Sequence, residues 1–164
     1  MKKVITLIYG DGIGHEVIEA ACLVVEASGA NIEWEVVEAG AEIKDKYGTP
    51  LPDNVIESIK RNKIALKGPT ATPVGSGFRS VNVAIRKALN LYANIRPVKS
   101  FKGIKSLYNN VDIIIVRENT EGLYAGIEEM ISEDKAVTKK IITKVASNRI
   151  INFAFEKAKK ENRK

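Results

Sequence analysis

Three arginines in the middle of the chain could recognise a small polycarboxylate. Arg86 lies in SVNVAIRKAL, Arg96 stands directly before Pro97, and Arg117 follows the apolar run VDIIIV. A planar guanidinium holds a carboxylate through two parallel charge-assisted hydrogen bonds, so arginines drawn from separate elements can grip several carboxylates at once. Ser80 and Asn82 add neutral hydrogen-bonding groups where the helix carrying Arg86 would begin, and a helix start favours an anion. Spacing alone favours reading each arginine as a surface or ion-paired group. The segment RENTEGLYAG concentrates Arg117, Glu118, Asn119, Glu121 and Tyr124 just after a strand. A positioned Tyr124 hydroxyl can act as an acid there. Asn119 to Gly122 could also be no more than a turn, with Tyr124 a packing aromatic.

GDGIG at residues 10–14 follows an apolar run and opens a helical pattern, as phosphate-binding turns do, but its spacing is GxGxG, and His15 occupies the place of the third glycine of GxGxxG. Such a turn can bind phosphate or simply let a strand turn tightly into a helix. His15 is the only histidine. It sits where the helix dipole disfavours the imidazolium, and it has no second histidine to share a metal with, so no metal ligand is assigned.

The elements that would position these residues follow from hydrophobic period. Val4–Tyr9 reads as a buried strand, and His15–Ala27, with Val17, Ile18, Ala21, Cys22 and Val25, as a helix. Ile32–Val37 reads as a second, parallel strand of a right-handed βαβ unit. Pro52-Asp53-Asn54 opens a helix over Val55, Ile56 and Ile59, followed by a strand, IALK. GPTATPVGSG at 68–77 is too rich in Gly and Pro for a helix or strand interior and reads as an exposed loop, the usual seat of sites in α/β proteins. Val81–Leu89 returns to helical spacing, Leu91–Val98 is extended, and Val111–Val116 is a buried-strand run. Glu128–Ile142 is extended or a hairpin. A last helix begins at Thr143 or Ser147, with Ile150, Ile151, Ala154, Phe155 and Ala158 on its apolar side.

Composition excludes other classes. The 164 residues are 45% apolar and 28% charged with one cysteine, which describes a globular α/β chain without a disulfide framework. Cys22 reads as a small buried filler, and a reducing, cytoplasmic location is expected. The opening apolar run breaks at Gly10, too soon for a signal peptide, and no stretch reaches the ~18 apolar residues of a membrane helix. The net charge of +6 is uneven: residues 1–134 carry −2 and residues 135–164 carry +8. Phe153 and Phe155 within the basic tail suit a solvated amphipathic helix better than a nucleic-acid patch, so neither a nucleic acid nor a membrane is expected as partner.

GDGIGHE, LKGPTATPVGSGFRSVNVAIRKALNLYANIRPVKSFKG and DIIIVRENTEGLYAGIE, in that order, resemble the β-decarboxylating dehydrogenases, the family of isocitrate, homoisocitrate and isopropylmalate dehydrogenases. FRSVN is similar to the isocitrate branch, in which Ser and Asn contact the extra carboxylate. The resemblance implies an isocitrate/isopropylmalate dehydrogenase-like α/β fold of which this chain is the amino-terminal half. Residues 1–96 would form part of the large domain, and 97–164 the start of the small domain and a dimer-arm segment. Ser80, Asn82, Arg86, Arg96 and Arg117 would bind isocitrate, Tyr124 would be the catalytic acid, and Thr72 and Lys67 would approach an NAD or NADP cofactor. Ala71 stands where many relatives carry a cofactor-touching Thr, and His15 replaces a frequent Pro. The general-base lysine and the ligands for Mg2+ or Mn2+ would come from the missing half, and the implied partners are isocitrate and either a second copy in a homodimer or a complementing carboxy-terminal half. The implied activity is NAD(P)-dependent oxidative decarboxylation of isocitrate to 2-oxoglutarate. The alternatives are a non-catalytic carboxylate-binding or assembly subunit of a split enzyme, or a homoisocitrate or isopropylmalate dehydrogenase. The 164-residue chain by itself is therefore expected not to oxidise isocitrate with either nicotinamide and Mg2+ or Mn2+; a coupled absorbance assay on the purified chain checks this, and sustained turnover would contradict it.

Overall fold

The computed structural model describes residues 2–71 and 80–164, which form two compact units, residues 1–89 and 90–164. In the first, β1 (Lys3–Ile8), α1 (Gly14–Ala27), β2 (Ile32–Val36), α2 (Lys44–Tyr47), α3 (Asp53–Asn62), β3 (Ala65–Lys67) and α4 (Val81–Ala88) follow in order. The sheet is parallel with β1 in the centre, in the order β2-β1-β3. β-Branched Val4, Ile5, Thr6 and Ile8 favour the pleated backbone of β1, and alternation sends Leu7 and Ile8 to opposite faces. Leu7 packs with Ile18 and Cys22 of α1. Ile8 packs with Val37, Ala39, Val55, Val81 and Ile85, the last three drawn from α3 and α4. Helices on both faces of a parallel sheet are the α/β arrangement expected from the strand–helix rhythm.

Polar groups also tie this unit together. The buried hydroxyls of Thr6 and Ser58 share a 2.7 Å hydrogen bond, and Asn62 Nδ2 donates to Thr6 Oγ1 and to Glu35 Oε2, both at 2.9 Å. Strands β1 and β2 are thereby pinned to α3. Hydrogen bonding from Asn62 first, then from Ser58, with the Arg61 charge nearby, holds the Glu35 carboxyl below its ordinary pKa. Cys22 is a free, buried thiol whose pKa is raised by burial first and by Glu26 and Glu19 second.

The second unit contains β4 (Ala93–Lys99), β5 (Asp112–Glu118), β6 (Gly122–Ser132), β7 (Lys135–Ile141) and α5 (Lys144–Lys160). β4 and β5 form an antiparallel ribbon in the register Asn94↔Arg117 and Arg96↔Ile115, and β4 runs through residues 96 and 97. β6 and β7 form the hairpin expected over 128–142, longer at its amino-terminal end. Helix α5 starts at Lys144, with the Thr143 hydroxyl accepting from Ala146 N, which selects the first of the two expected starts.

Two expectations need correction. VDIIIV is not buried on both faces: Ile113 and Ile115 are 54% and 49% exposed, because α5 covers only the face carrying Ile114 and Val116. The apolar stripe of α5 is also out of phase with its expected position. Ala146, Ile150, Phe153, Ala154 and Ala158 face inward, while Ile151 and Phe155 are 50% and 73% exposed. The short α2, closed by Gly48 at φ +70°, carried no hydrophobic period that could have announced it. Among the described residues no helix is long and apolar enough to cross a membrane.

The GDGIG turn is held from outside by one carboxylate. Asp11 is buried, and its oxygens accept from Ala41 N (3.0 Å), Glu42 N (2.9 Å) and Ala71 N (2.6 Å), while its own N–H donates to Pro69 O at 2.8 Å. Asp11→Asn would turn an NH2 toward at least one of those backbone N–H groups in either amide orientation, and a lost charge-assisted bond costs about 1.5–3 kcal/mol. The expected result is a thermal midpoint lowered by roughly 4–10 °C, read by calorimetry; an unchanged midpoint would show that the three bonds contribute nothing net.

Candidate functional site

In the first unit, Ser80 occupies the N-cap position of α4, with Asn82 and Arg86 one helical turn apart on the same side of the helix. All three are half-buried, while Val81 and Ile85 take the core side. Lys67 ends β3, and its ammonium donates to Gly68 O (2.6 Å) and Thr70 Oγ1 (3.3 Å). Burial lowers the pKa of Lys67, Asp11 opposes that shift, and the Arg86 charge adds to it. Lys67 and Arg86 are thus near enough for their like charges to interact. Thr72 lies outside the described residues.

The glycine turn is not organised as a phosphate cradle. The N–H groups of Asp11, Gly12 and Gly14 are already bonded, to Pro69 O, Glu42 Oε1 and Asp11 O respectively. The glycines answer to close backbone approach instead. A Cβ on Gly10 would stand 1.8 Å from Pro69 O, and one on Gly14 2.2 Å from Tyr9 O. His15 is exposed and stacks on Tyr9 with centroids 4.8 Å apart and planes 7° from parallel. Of the two readings open at GDGIG, this geometry carries the tight strand-to-helix turn.

In the second unit, the ribbon register decides what meets. Asn94 is directly opposite Arg117, and Arg96 is two residues further along β4, so all three project from one face. That is the face α5 leaves open, where Ile113 and Ile115 are exposed. The Arg117 guanidinium donates to Tyr124 Oη at 2.5 Å and lies 5.3 Å from the ring centroid. A guanidinium has no acceptor, so the phenol oxygen accepts this bond and its own proton is directed elsewhere. Arg96 Nε reaches Asn94 Oδ1 at 3.4 Å. A cavity of about 440 Å3 opens beside Arg117 and Tyr124, with Glu121, Lys140 and Ile150 among its walls.

The connection from Arg117 to Tyr124 is a turn gathered around Glu118. Glu118 accepts from Thr120 N, Glu121 N and Thr120 Oγ1 at 2.8, 2.8 and 2.6 Å. Desolvation would raise the Glu118 pKa, but the Thr120 hydroxyl and the backbone N–H groups of residues 119–121 outweigh it and hold the carboxyl below its ordinary value. Asp11, Asn94 and Arg149 were not singled out by sequence. Asp11 carried a signal, an acidic residue among three closely spaced glycines, whereas Asn94 and Arg149 acquire meaning only through pairing and packing. Among the described residues no group of three or more His, Cys, Asp or Glu side chains could hold a metal ion.

Comparison with known proteins gives this geometry a context. A family model described as isocitrate/isopropylmalate dehydrogenase matches residues 4–164. The chain is 48% identical to a probable alpha chain of mitochondrial NAD isocitrate dehydrogenase from Drosophila melanogaster, over 99% of this chain and 43% of that protein. It is 51% identical to a regulatory chain of the mitochondrial NAD isocitrate dehydrogenase of Dictyostelium discoideum, over 98% of this chain and 44% of that one. A chloroplastic 3-isopropylmalate dehydrogenase of Solanum tuberosum also matches, at 44% identity over 96% of this chain and 44% of that protein. The crystal structure of isocitrate dehydrogenase from Methylococcus capsulatus superposes with a TM-score of 0.92 at 49% identity, covering all of this chain and 49% of the other. The chain thus spans less than half the length of these curated relatives. Over essentially its whole length it belongs to the isocitrate/isopropylmalate dehydrogenase family.

Proposed function

We propose that this chain supplies the substrate-binding arginines and the proton-donating tyrosine of an NAD(P)-dependent isocitrate dehydrogenase, which converts isocitrate to 2-oxoglutarate and carbon dioxide. The observation that carries the reading is the contact of Arg117 with Tyr124 Oη on the open ribbon face that also carries Arg96. On this reading Arg96, Arg117 and Arg86 bind carboxylates through forked hydrogen bonds, and Ser80 and Asn82 receive the carboxylate that distinguishes isocitrate from isopropylmalate. Both are polar, half-buried and at the start of α4. Such groups favour isocitrate over a substrate with an apolar branch there, since a buried polar group left unpaired is costly.

A bound nicotinamide would supply the hydride acceptor, and a divalent metal held outside this chain would supply charge stabilisation for the enolate. Lys67 is the described residue that would lie near the anionic cofactor. The steps belonging to this chain are binding, orientation and one proton transfer. Once the β-carboxylate has left as carbon dioxide, Tyr124 delivers its phenolic proton to the enolate carbon, and the Arg117 bond to Oη keeps that oxygen oriented as its proton departs. The Dictyostelium relative, named as regulatory, supports a second reading, in which the same arginines bind a carboxylate ligand without turnover. A chain of that kind would bind isocitrate and show no oxidation at its own site.

Steady-state kinetics of the full-length protein separate the readings. Arg96→Lys and Arg117→Lys keep the charge but lose the fork, and should lower kcat/KM for isocitrate roughly tenfold to a hundredfold. Tyr124→Phe should lower kcat while leaving KM nearly in place. Wild-type kinetics in all three, or losses that only track thermal midpoints, would assign these residues to structure. Isocitrate binding without oxidation by the wild-type protein would favour the regulatory reading.

A further inference from the structure

Arg117 and Tyr124 meet although no strand ladder holds them together: β5 belongs with β4, and β6 with β7. The backbone of Arg117 is fixed by its pairing with Asn94. Tyr124 stands where the hairpin register jumps from Gly122↔Ile141 to Ile127↔Lys139. Residues 123–126 therefore face the single residue Lys140, in a bulge bracketed by Gly122 (φ +69°) and Gly126 (φ +62°). A bulge re-aims side chains, and its direction is set by whatever fixes its ends.

Here one end is fixed from α5. Arg149 donates through Nη2 to Thr120 Oγ1 at 3.2 Å and lies 3.5 Å from Glu118 Oε1, while Nη1 donates to Asn90 Oδ1 at 3.1 Å and the guanidinium rests 4.2 Å over the Tyr92 ring. Glu118 gathers the amides of the same turn. Glu121 accepts from Thr143 N (2.8 Å) and Thr143 Oγ1 (2.7 Å), joining the end of the turn to the cap of α5. The clamp carries a cost: Arg149 Nε and Asn119 Oδ1 are buried without hydrogen-bond partners among the described residues. Unsatisfied buried groups of this kind mark sites where geometry is held against local stability.

We propose that Arg149 is a positioning residue of the reaction: by clamping the Glu118–Thr120 turn it sets the direction in which the bulge presents Tyr124 beside Arg117. This rests on the reading of Tyr124 as the catalytic acid. Because Arg117 is held separately by its ladder to β4, loss of the clamp misplaces the acid more than the carboxylate-binding group. The effect therefore falls on kcat.

The test is a double-mutant cycle in the full-length enzyme with Arg149→Met, Arg149→Lys and Tyr124→Phe. Arg149→Met should lower kcat about tenfold or more with KM for isocitrate changed less than about threefold, since small misplacements of a reacting group cost rate steeply. Arg149→Lys, which keeps the Glu118 ion pair without the fork, should fall between, and it stands in for Arg149→Met if the latter does not fold. In the Tyr124→Phe background either change should alter kcat less than about twofold, because the group being aimed is gone. Losses that multiply in the double variants, or an unchanged kcat in both single variants, overturn the positioning role while the assignment of Tyr124 stands. A wild-type enzyme without isocitrate oxidation, or a Tyr124→Phe variant with intact kcat, overturns the underlying reading and this inference with it.

Discussion

Asp11 gathers three loops of the first unit around one carboxylate. Its oxygens take backbone N–H groups from residues 41, 42 and 71, and its main chain bonds Pro69, so the turn after β1, the loop after β2 and the loop after β3 close on a single charge. A buried carboxylate requires several donors. Backbone amides can converge on it only if the chains approach closely. That closeness explains the glycines: a Cβ on Gly40 would meet Asp11 Oδ1 at 2.3 Å, and one on Gly68 would meet Tyr9 O at 2.0 Å. The carboxyl ends of parallel strands are where α/β proteins bind ligands, and here those ends are organised before any ligand is considered.

The second unit solves a different problem with the same kind of interaction. A two-stranded ribbon and a hairpin have little core of their own, and only Ala146 among the apolar residues of this unit is buried. Helix α5 supplies the missing support, with apolar residues on the inner face of β5 and polar staples at Thr143 and Arg149 that reach the β5–β6 turn. The opposite face of the ribbon stays open and carries Arg96, Asn94 and Arg117. Covering one face only is therefore what leaves two cations available on the other.

The legible parts of the fold were those with a strong period or a strong breaker. β1, α1 and β2 came from a β-branched run, a glycine turn and a helical repeat, and α3 from Pro52-Asp53 followed by Val55, Ile56 and Ile59. These local preferences agree with the sheet that was built from them. VDIIIV behaves differently. An apolar run of this kind signals a strand but does not say how many of its faces will be covered, because the cover comes from α5, more than twenty-five residues later in the chain. The stripe of α5 was misphased for a related reason: Ile151 and Phe155 satisfy helical spacing as well as Ile150 and Ala154 do, and only the position of β5 chooses between them.

For the candidate site, residue types alone made Arg86, Arg96, Arg117 and Tyr124 candidates, since forked cations and a phenol carry their chemistry wherever they stand. Family membership was likewise present in the sequence, because long ordered segments such as LKGPTATPVGSGFRSVN and DIIIVRENTEGLYAGIE are specific in themselves. Register and approach were not. That Arg96 and Arg117 share a face follows from a pairing that slips to the opposite result with a one-residue shift. That Asp11 is an anchor, and Arg149 a clamp, depends on backbone and side-chain groups brought together from 30, 60 or 29 residues away along the chain. Hydrogen bonds and ion pairs act over a few ångströms of space, so their partners are decided by tertiary structure, whereas period and chemical type are local properties that the sequence carries by itself.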